Sequence, residues 1–530
     1  MSIENILINS VKKTLSCLDT NTYSETFGCF DRDFWHYKTL RDFPSATYQQ
    51  SVLTLALVFK NDFPGNIFFK NQRCLEFITA GIKYWSRIQN KDGSFNEWFP
   101  NEHSHVATAF TTYAVTETLL LLKEDLEISK GVLESIKKAA DWLSNNSDFL
   151  VTNHAAGAAV ALYNSFLITQ EKKYLDSSRK EIEIVLGNQD KEGWYLEYDG
   201  CDPGYLSVTV DFLARYYHKS GDQHVFDSLA SAIKFMKYFL HPDGSYGGEY
   251  GSRNTKYMFT GGLTFLFEKL PEAKKIFNEY WEKRCFDVGF SSDDRYLFFF
   301  FLPNYLETFL FVEKNSKNKP EEKKENQEFF EKNFQSAGIY AKKTEKFHIV
   351  INYNKGGIIK IFSNANGEMI YSDTGYLIKT NKGIYHSQGS RKSNNTFQKN
   401  VATKKFSIQN NFVLLKNKHP LKKSLIFFRL FNYTFGKNNK IMSAFNKALK
   451  KRMILREKTA KIKLIRKIEI QAKSVKIEDE IINNSNLIII EKKRTSVFSS
   501  RHVPSSRIFR SNDFFSPEIS GAEKILEIKF

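Results

Sequence analysis

The pattern of apolar positions divides the chain into two parts. From about residue 45 to 312 apolar residues recur at helical spacing, as Val106, Phe110 and Tyr113 do. In the second part the period becomes two, and residues 347–353 alternate between the two faces of a strand. The pattern therefore predicts helices in the first part and short antiparallel strands in the second.

Two of the predicted helices have features beyond their periodicity. Residues 154–168 are rich in alanine and include Gly157, which permits unusually close helix packing. Residues 205–217 follow Asp202-Pro203-Gly204, a turn that ends one element before the next helix begins.

A turn sequence recurs along the helical part. Its copies begin 100 and 51 residues apart, which predicts a unit of about 50 residues, enough for two helices and their loops. Because the glycine-aromatic turns lie at one end of each helix pair, they favour a closed toroid over an open solenoid. The copies are Asp92-Gly93-Ser94-Phe95-x-Glu97, Glu192-Gly193-Trp194-Tyr195-x-Glu197, and Asp243-Gly244-Ser245-Tyr246 with Glu249 one place later.

The predicted fold class is multidomain α+β. An N-terminal α/α toroid of helix pairs is expected over residues 1–312, and a basic antiparallel β-sandwich over residues 336–530. Residues 313–335 are dominated by lysine, glutamate, asparagine and glutamine and are predicted to form a polar linker.

Charge is unevenly distributed between these parts. From Glu313 onwards the chain carries 45 Lys and Arg against 19 Asp and Glu, a net charge of +26. The preceding residues carry 32 against 40, a net charge of −8. A basic domain suits an acidic polymer as substrate, although lysines also protect exposed sheet edges from aggregation.

Several classes of protein are not indicated. Five widely spaced cysteines without a C-x-x-C pair do not suggest a disulfide framework or structural zinc site. No apolar run approaches about 18–20 residues, so no membrane span is expected. The first residues lack the pattern of a secretion signal, which favours a cytoplasmic location, with the periplasm as the alternative.

Carboxylates, amides, histidines and aromatic rings cluster in a few loops of the helical part. Sugars are bound by such mixtures, because rings stack on apolar sugar faces while polar groups bond the hydroxyls. The candidate substrate-binding residues are Arg32, Trp35, His36, Glu97, Trp98, His103, His105, Trp194, Glu197, Tyr198, Asp202, Glu249, Tyr250, Arg253 and Asn254.

No cofactor or metal is predicted. His103 and His105 are two positions apart at a predicted helix start, which does not direct both rings to one face. A turn or capping hydrogen bond is the expected role for one of them. Phosphate-loop, dinucleotide-binding and serine-hydrolase motifs are missing from the sequence.

The loops and the two-domain layout resemble the heparinase II/III-like polysaccharide lyases. The shared features are a D-G-S-[FY]-x-E turn, an asparagine that opens a small-residue helix, and a tyrosine that opens the next helix. The resemblance implies a lyase that acts on an acidic, uronate-containing polysaccharide, for example a capsule or surface polysaccharide.

The resemblance also implies catalytic residues. Asn153 matches the amide that neutralises the uronate carboxylate, and Tyr205 matches the tyrosine that serves as base and acid. The partner histidine of that family comes from the β-domain, where His386 is the first candidate and His348 and His502 are alternatives. His154 and the Asp-Pro-Gly turn before Tyr205 are departures from the family pattern.

The implied chemistry is β-elimination beside a hexuronate. Asn153 together with Arg253 or His154 would neutralise the carboxylate, which makes the C5 proton removable. A free tyrosine has a pKa near about 10. Tyr205 therefore needs a nearby cation before it can act as the base.

Three alternatives remain open. A glycoside hydrolase on the same toroid would use Glu197 with Glu249 or Asp202, roughly 5–9.5 Å apart. A uronate epimerase would share the proton abstraction without elimination. A non-catalytic polyanion-binding protein would use basic stretches such as 450–452 and 458–467, where nothing resembles a nucleic-acid-binding motif. The oligomeric state is left undetermined.

Overall fold

The protein is described by a computed structural model. His502 and the basic stretch 450–452 lie outside the described residues. The structure describes residues 2–39, 41–283, 296–315, 328–389, 396–400, 405–416, 421–449, 457–500 and 525–529.

Helices dominate the first part, and strands dominate the second. The α-helices are α1 (Ile3–Leu15), α2 (Arg32–Trp35), α3 (Ser51–Lys60), α4 (Gln72–Arg87), α5 (His105–Leu121), α6 (Lys130–Ser144), α7 (Thr152–Thr169), α8 (Lys172–Gly187), α9 (Pro203–Ser220), α10 (Gln223–Met236), α11 (Pro271–Glu282), α12 (Leu302–Asn315), α13 (Lys422–Thr434) and α14 (Asn439–Leu449). The strands are β1 (Phe330–Phe334), β2 (Ile339–Lys343), β3 (Phe347–Asn352), β4 (Ile358–Ser363), β5 (Met369–Asp373), β6 (Gly375–Thr380), β7 (Gly383–His386), β8 (Thr396–Asn400), β9 (Lys405–Leu414), β10 (Thr459–Ile470), β11 (Ser474–Asn483), β12 (Ile489–Thr495) and β13 (Ile525–Lys529).

The helices form two layers. Helices α3, α5, α7 and α9 pack side by side as the inner layer, and α12 packs against α3. Helices α4, α6, α8 and α10 pack outside them. The inner helices are buried over most of their surface, whereas α4 and α6 bury one apolar face, as expected for the two layers of a toroid. In α7 the alanines and Gly157 are buried, and Gly157 lies against Phe110 and Phe212.

The repeated turn has one geometry in all three copies. Backbone N–H groups of Asn90, Asp190 and His241 donate to the carbonyl four residues later. The glycine at the centre of each turn has a φ between +78° and +101°, a region that side chains disfavour. The turn therefore requires glycine, which explains why the motif recurs.

The strands form two antiparallel sheets. Strands β1 to β5 follow one another in the first sheet, while the second has the order β12-β6-β7-β9-β10-β11-β13 with β8 beside β9. Inward-facing residues of both sheets, such as Ile349, Ile361, Phe406 and Ile477, share one apolar core. The predicted toroid and antiparallel β-sandwich are thus confirmed.

The β-domain also contains a helical hairpin that the period-two pattern did not predict. Helices α13 and α14 are inserted between β9 and β10. Helix α12 continues to Asn315 and β1 begins at Phe330, so both ends of the predicted linker 313–335 have regular structure. Within the described residues no helix is long and apolar enough to cross a membrane.

Side chains of the β-domain bind the last loop of the toroid. Lys355 Nζ donates to the carbonyls of Glu249 and Gly251, at 2.8 and 2.7 Å. The Asn352 amide donates to the Tyr250 carbonyl at 2.6 Å. These contacts place the β-sandwich directly beside the loops that the sequence analysis identified.

Candidate active site

Asn153 and Tyr205 lie in the first turns of the adjacent inner helices α7 and α9. Glu197, in the loop before α9, joins the two helices through Asn153 of α7 and Thr209 of α9. The Asn153 side-chain amide donates to Glu197 Oε2 at 2.8 Å, and its backbone N–H donates to Oε1 at 3.1 Å. Because an asparagine amide has a second hydrogen, one donor of Asn153 is left over for a ligand.

Glu197 is fully buried. Besides Asn153, its described hydrogen-bond partner is the Thr209 hydroxyl, at 3.4 Å. Burial raises the pKa of Glu197 well above its usual range, and nearby Asp202 acts in the same direction. The described hydrogen bonds of the Glu197 carboxyl group hold the Asn153 amide in place.

Tyr205 lies beside a cation and two other tyrosines. The Arg253 guanidinium carbon lies 4.5 Å from the Tyr198 ring centroid, and the Tyr257 ring centroid is 6.5 Å from that of Tyr205. Burial raises the pKa of Tyr205 well above its usual range, and Tyr257 and Tyr198 add to this. The Arg253 charge lowers the pKa of Tyr205 and partly opposes the burial.

Arg253 is a cation that a ligand can use. Arg253 is only 9% exposed, and its Nε has no hydrogen-bond partner among the described residues. The Asn254 Oδ1 atom nearby is also buried without a described partner. Buried polar groups of this kind are costly to leave unpaired, so an incoming carboxylate and hydroxyl would be bound favourably.

His154 forms part of a second cluster at the same end of the inner helices. His154 Nδ1 lies 3.0 Å from Asp148 Oδ2, and the rings of His154 and His105 are stacked at 6.3 Å. One ligand-type atom from each of these three residues lies within 4.8 Å of the others, so they could hold a metal ion. The contact with Asp148 already orients the His154 ring, as a hydrogen-bonded histidine–carboxylate pair does.

Glu249 and Tyr250, predicted to contact substrate, are instead engaged inside the protein. Glu249 is buried between Lys256 Nζ at 2.7 Å and Lys360 Nζ at 2.5 Å. Although burial acts to raise it, the two ammonium groups hold the pKa of Glu249 well below its usual range. The Tyr250 hydroxyl is 2.9 Å from His241 Nε2. Since their polar groups are already paired, neither residue is positioned to bind sugar.

Asp202 also has a different role from the predicted one. Its carboxylate caps α9 by accepting from the Tyr205 backbone N–H at 3.2 Å. It also accepts from the Arg253 backbone N–H at 2.8 Å and from the Thr255 hydroxyl. Asp202 therefore positions the two functional side chains Tyr205 and Arg253 without facing a ligand.

The loop 97–105 divides into structural and exposed residues. The Glu102 carboxylate accepts from the backbone N–H groups of Glu97 and Trp98, and burial raises the pKa of Glu102 to about 8. His103 Nδ1 is 2.7 Å from both Asp92 Oδ2 and Ser94 Oγ, the turn contact expected for one of the two histidines. Trp98 is half-exposed.

Arg32, Trp35 and His36 form an N-terminal surface turn at α2. Arg32 and His36 are exposed, and the Trp35 indole donates to the Cys17 carbonyl at 2.8 Å. In the described part of the chain no hydrogen bond or ring contact joins this turn to Tyr205. The structure therefore does not bring these three predicted residues to the Asn153–Tyr205 site.

Two candidate histidines of the β-domain, His386 and His348, lie on strands β7 and β3. His386 is buried in β7 and its ring is 6.4 Å from that of Phe498, while the described contacts of Asn153 and Tyr205 do not include it. His348 is buried in β3, and burial lowers its pKa to about 3. His348 is thus a neutral core residue.

A cavity of about 140 Å³ separates the toroid loops from the β-domain. Trp194, Cys201 and Ser252 line it from the toroid, and Lys355 and Gln388 line it from the sandwich. Lys355 donates to the Glu249 and Gly251 carbonyls, and Gln388 donates to the Thr374 and Phe498 carbonyls, so these polar groups are engaged inside the protein. Of the predicted residues, Trp194 is the one that borders this cavity directly.

Three residues that hold these side chains in place were not predicted from the sequence: Asp148, Lys256 and Lys360. Asp148 orients His154 but lies six residues before it, without any motif. Lys256 and Lys360 fix Glu249, yet Lys360 comes from the other domain. Only the Gly247-Gly248 pair beside Glu249 signalled a constrained loop, and both glycines have positive φ.

Comparisons with known proteins agree with this architecture. Residues 69–265 match the family model of the ulvan lyase N-terminal domain. This stretch includes Asn153, Glu197, Tyr205 and Arg253. No curated protein matches the chain.

Two solved structures are similar to this chain to different degrees. Chondroitin AC lyase from Streptomyces coelicolor A3, in complex with chondroitin sulphate, has a TM-score of 0.52 at 8% identity; the match covers 90% of this chain and 66% of that chain. An unsaturated glucuronyl hydrolase variant from Streptococcus agalactiae has a TM-score of 0.39 at 11% identity, over 58% of this chain and 92% of that chain. The chain thus spans just under two thirds of the lyase, and at such identity the likeness concerns the fold.

Proposed function

We propose that this protein is a polysaccharide lyase that cleaves an acidic, uronate-containing polysaccharide by β-elimination. The observation that carries the proposal is the position of Asn153 and Tyr205 in the first turns of adjacent inner helices, with Glu197 bonded to Asn153 and the Arg253 cation near Tyr205. The family-model match over residues 69–265 supports a lyase as the class of enzyme.

In this proposal Asn153 and Arg253 bind the uronate carboxylate. Their donors neutralise its charge and stabilise the enolate that develops when the C5 proton leaves. Both donors are pre-oriented, Asn153 by Glu197 and Arg253 by its backbone bond to Asp202, so little reorganisation is needed.

Tyr205 is the proposed base and acid. As phenolate, favoured by Arg253, it takes the C5 proton; the C4=C5 double bond forms, the C4–O4 bond breaks, and O4 receives the proton. The bound substrate carboxylate would offset part of the Arg253 charge, which lowers the pKa of Tyr205. In this proposal Tyr205 therefore loses its proton before or during binding.

Membership of the heparinase II/III-like group is the finer part of the proposal. It is supported by Asn153 at the start of α7 and by Tyr205 at the start of α9. It does not depend on His386, whose ring is near Phe498.

The hydrolase alternative has less support. Its candidate partners for Glu197 were Glu249, which is bound by two lysines, and Asp202, which caps α9. A hydrolase needs one carboxyl group as acid and another as nucleophile or base, and both partners are already committed to internal contacts.

The test is an assay for unsaturated uronate, which absorbs in the near ultraviolet, with a panel of acidic polysaccharides that includes ulvan and chondroitin sulphate. We expect Tyr205→Phe to lower kcat by about 10²- to 10⁴-fold, the usual contribution of general acid–base catalysis. Tyr257→Phe is the matched control, since it removes a neighbouring phenol, and most activity should remain.

Full activity of Tyr205→Phe would refute the proposed mechanism. Reducing ends released without ultraviolet absorbance would identify a hydrolase instead. If no substrate of the panel is cleaved by the wild-type protein, the lyase proposal fails for these polymers.

A further inference from the structure

The helical hairpin of α13 and α14 has one face bound to the toroid. Phe428 packs edge-on against Phe99 at 5.0 Å between ring centroids, and His103 Nε2 is 3.0 Å from the Gly436 carbonyl. The Tyr433 hydroxyl donates to Asp42 at 2.9 Å. The hairpin is therefore anchored beside the loop 97–103, at the same end of the toroid as the candidate site.

The other face of α13 presents large apolar side chains to solvent. Ile426, Phe427 and Leu430 are 63%, 71% and 60% exposed. Positions i, i+1 and i+4 lie on one side of a helix, so the three side chains form a continuous stripe. Leu421 before the helix and Phe435 after it extend this exposed apolar surface. Side chains of this size, exposed together, indicate a surface that is covered by something else.

The charge around the stripe has one sign. No aspartate or glutamate occurs between Asp373 and Glu457, so the hairpin lacks acidic residues altogether. Its cations are Lys422, Lys423, Arg429, Lys437, Lys440 and Lys447. Five of these six residues are exposed, and Arg429 is paired with Asp42 of the toroid.

We propose that this face of the hairpin docks onto the surface of an anionic lipid bilayer. An apolar stripe flanked only by lysines matches a membrane interface, where acyl chains take the apolar groups and anionic headgroups attract the cations. The hairpin would lie in the plane of the interface, in agreement with the lack of a spanning helix in the described part of the chain.

Two other occupants fit the observations less well. An acidic polysaccharide would pair with the lysines and could stack on Phe427, but the aliphatic side chains Ile426 and Leu430 offer it no ring. A second copy of the chain on the same face would bring two sets of lysines together without any acidic residue between them.

Docking would hold one end of the toroid next to the membrane. The hairpin contacts the loop 97–103, and this loop leads into α5, whose first residue His105 lies against His154. A polymer attached to the bilayer would thus be presented near the candidate site. The docking itself does not depend on the proposed lyase activity.

The test is flotation of the full-length protein with vesicles of phosphatidylcholine alone or with added phosphatidylglycerol. We expect binding only to the anionic vesicles, weakened by salt. The double variant Ile426→Ser/Phe427→Ser should lower the vesicle affinity at least about tenfold, which corresponds to about 1.4 kcal/mol.

The matched control is Ile67→Ser/Phe149→Ser, which removes two apolar side chains that are each 64% exposed on the toroid. This variant should bind vesicles like the wild type, and circular dichroism checks the fold of both double variants. Equal flotation of all three proteins, or none for the wild type, would overturn the proposal.

Two further outcomes would also overturn it. If sedimentation shows a dimer that only Ile426→Ser/Phe427→Ser dissociates, the face is an interface between two copies. If anionic vesicles do not bind but heparin does, and the double variant keeps its heparin affinity, the lysines serve a soluble polyanion.

Discussion

Glu197 and Glu249 follow copies of the same turn, and both are buried, yet their pKa values shift in opposite directions. Glu197 is bonded by the Asn153 amide and a hydroxyl, and burial raises its pKa. Glu249 lies between Lys256 and Lys360, which hold its pKa well below the usual range despite burial. The repeat thus places a carboxyl group, but its partners decide the direction in which its pKa shifts.

The partners also decide what each glutamate does. Glu197 contacts only the toroid, and its described bonds orient a candidate catalytic amide. Glu249 is bound by Lys360 from β4, so it connects the two domains. A repeated motif therefore serves the site in one copy and the domain interface in another.

The largest expected effect comes from removing the charge of Glu249. We expect Glu249→Gln to lower the free energy of unfolding by about 3–5 kcal/mol, because two buried ammonium groups lose their anion. Urea denaturation followed by tryptophan fluorescence measures the change.

Glu197→Gln is the matched control for that variant. It changes a carboxyl group whose described partners are an amide and a hydroxyl, so we expect a smaller loss than for Glu249→Gln, of about 1 kcal/mol. Equal losses for the two variants would contradict the difference in partners that separates Glu197 from Glu249.

The pH dependence of stability sharpens the comparison. Unfolded glutamate titrates near about 4.3. The pKa of Glu249 is lower in the folded state than in the unfolded state. As the pH falls through about 4.3, the unfolded chain takes up a proton that folded Glu249 does not, so the contribution of Glu249 to stability is lost. Above that pH folded Glu197 keeps a proton that the unfolded chain releases, so stability falls as the pH rises.

Each slope can reach about 1.4 kcal/mol per pH unit. Denaturation between pH 3 and pH 8 should show Glu249→Gln flattening the acidic limb and Glu197→Gln flattening the limb above pH 4.3. Identical profiles for both variants would show that the two glutamates titrate alike.

The smallest expected effect concerns a third buried acid, Asp148, whose partner is His154. Because this contact orients the histidine by itself, we expect chelation with EDTA to leave lyase activity unchanged. Loss of activity that zinc or manganese restores would instead assign a metal to His105, Asp148 and His154.

Much of the fold was predictable because it depends on local pattern. Helical periodicity, the glycine turns and the alternating strands indicated the toroid and the sandwich correctly, and Asp202-Pro203-Gly204 marked the start of α9. The α13–α14 hairpin was not predicted. Several of its large apolar residues lie on an exposed face, so their pattern does not mark a buried side of a helix. Local periodicity reports amphipathic character without showing what covers it.

The candidate site was predicted in part. Asn153, Tyr205, Glu197 and Arg253 were identified from their loops, and the structure brings them together. Glu249 and Tyr250 were assigned to substrate because their loop has the same composition. Their actual partners, Lys360 and His241, are distant in sequence or separated by a turn, so composition cannot reveal them.

The sequence by itself determined the helix pairs, the turns that require glycine, the strands, and the opposite charges of the two parts. These follow from periodicity and from backbone conformations that only certain residues adopt. Tertiary structure alone decided in which direction each buried acid's pKa shifts, which acids are paired, and which apolar face stays exposed. The pKa of a side chain and its exposed fraction both depend on groups within a few ångströms of it. Folding brings those groups together from separate parts of the chain.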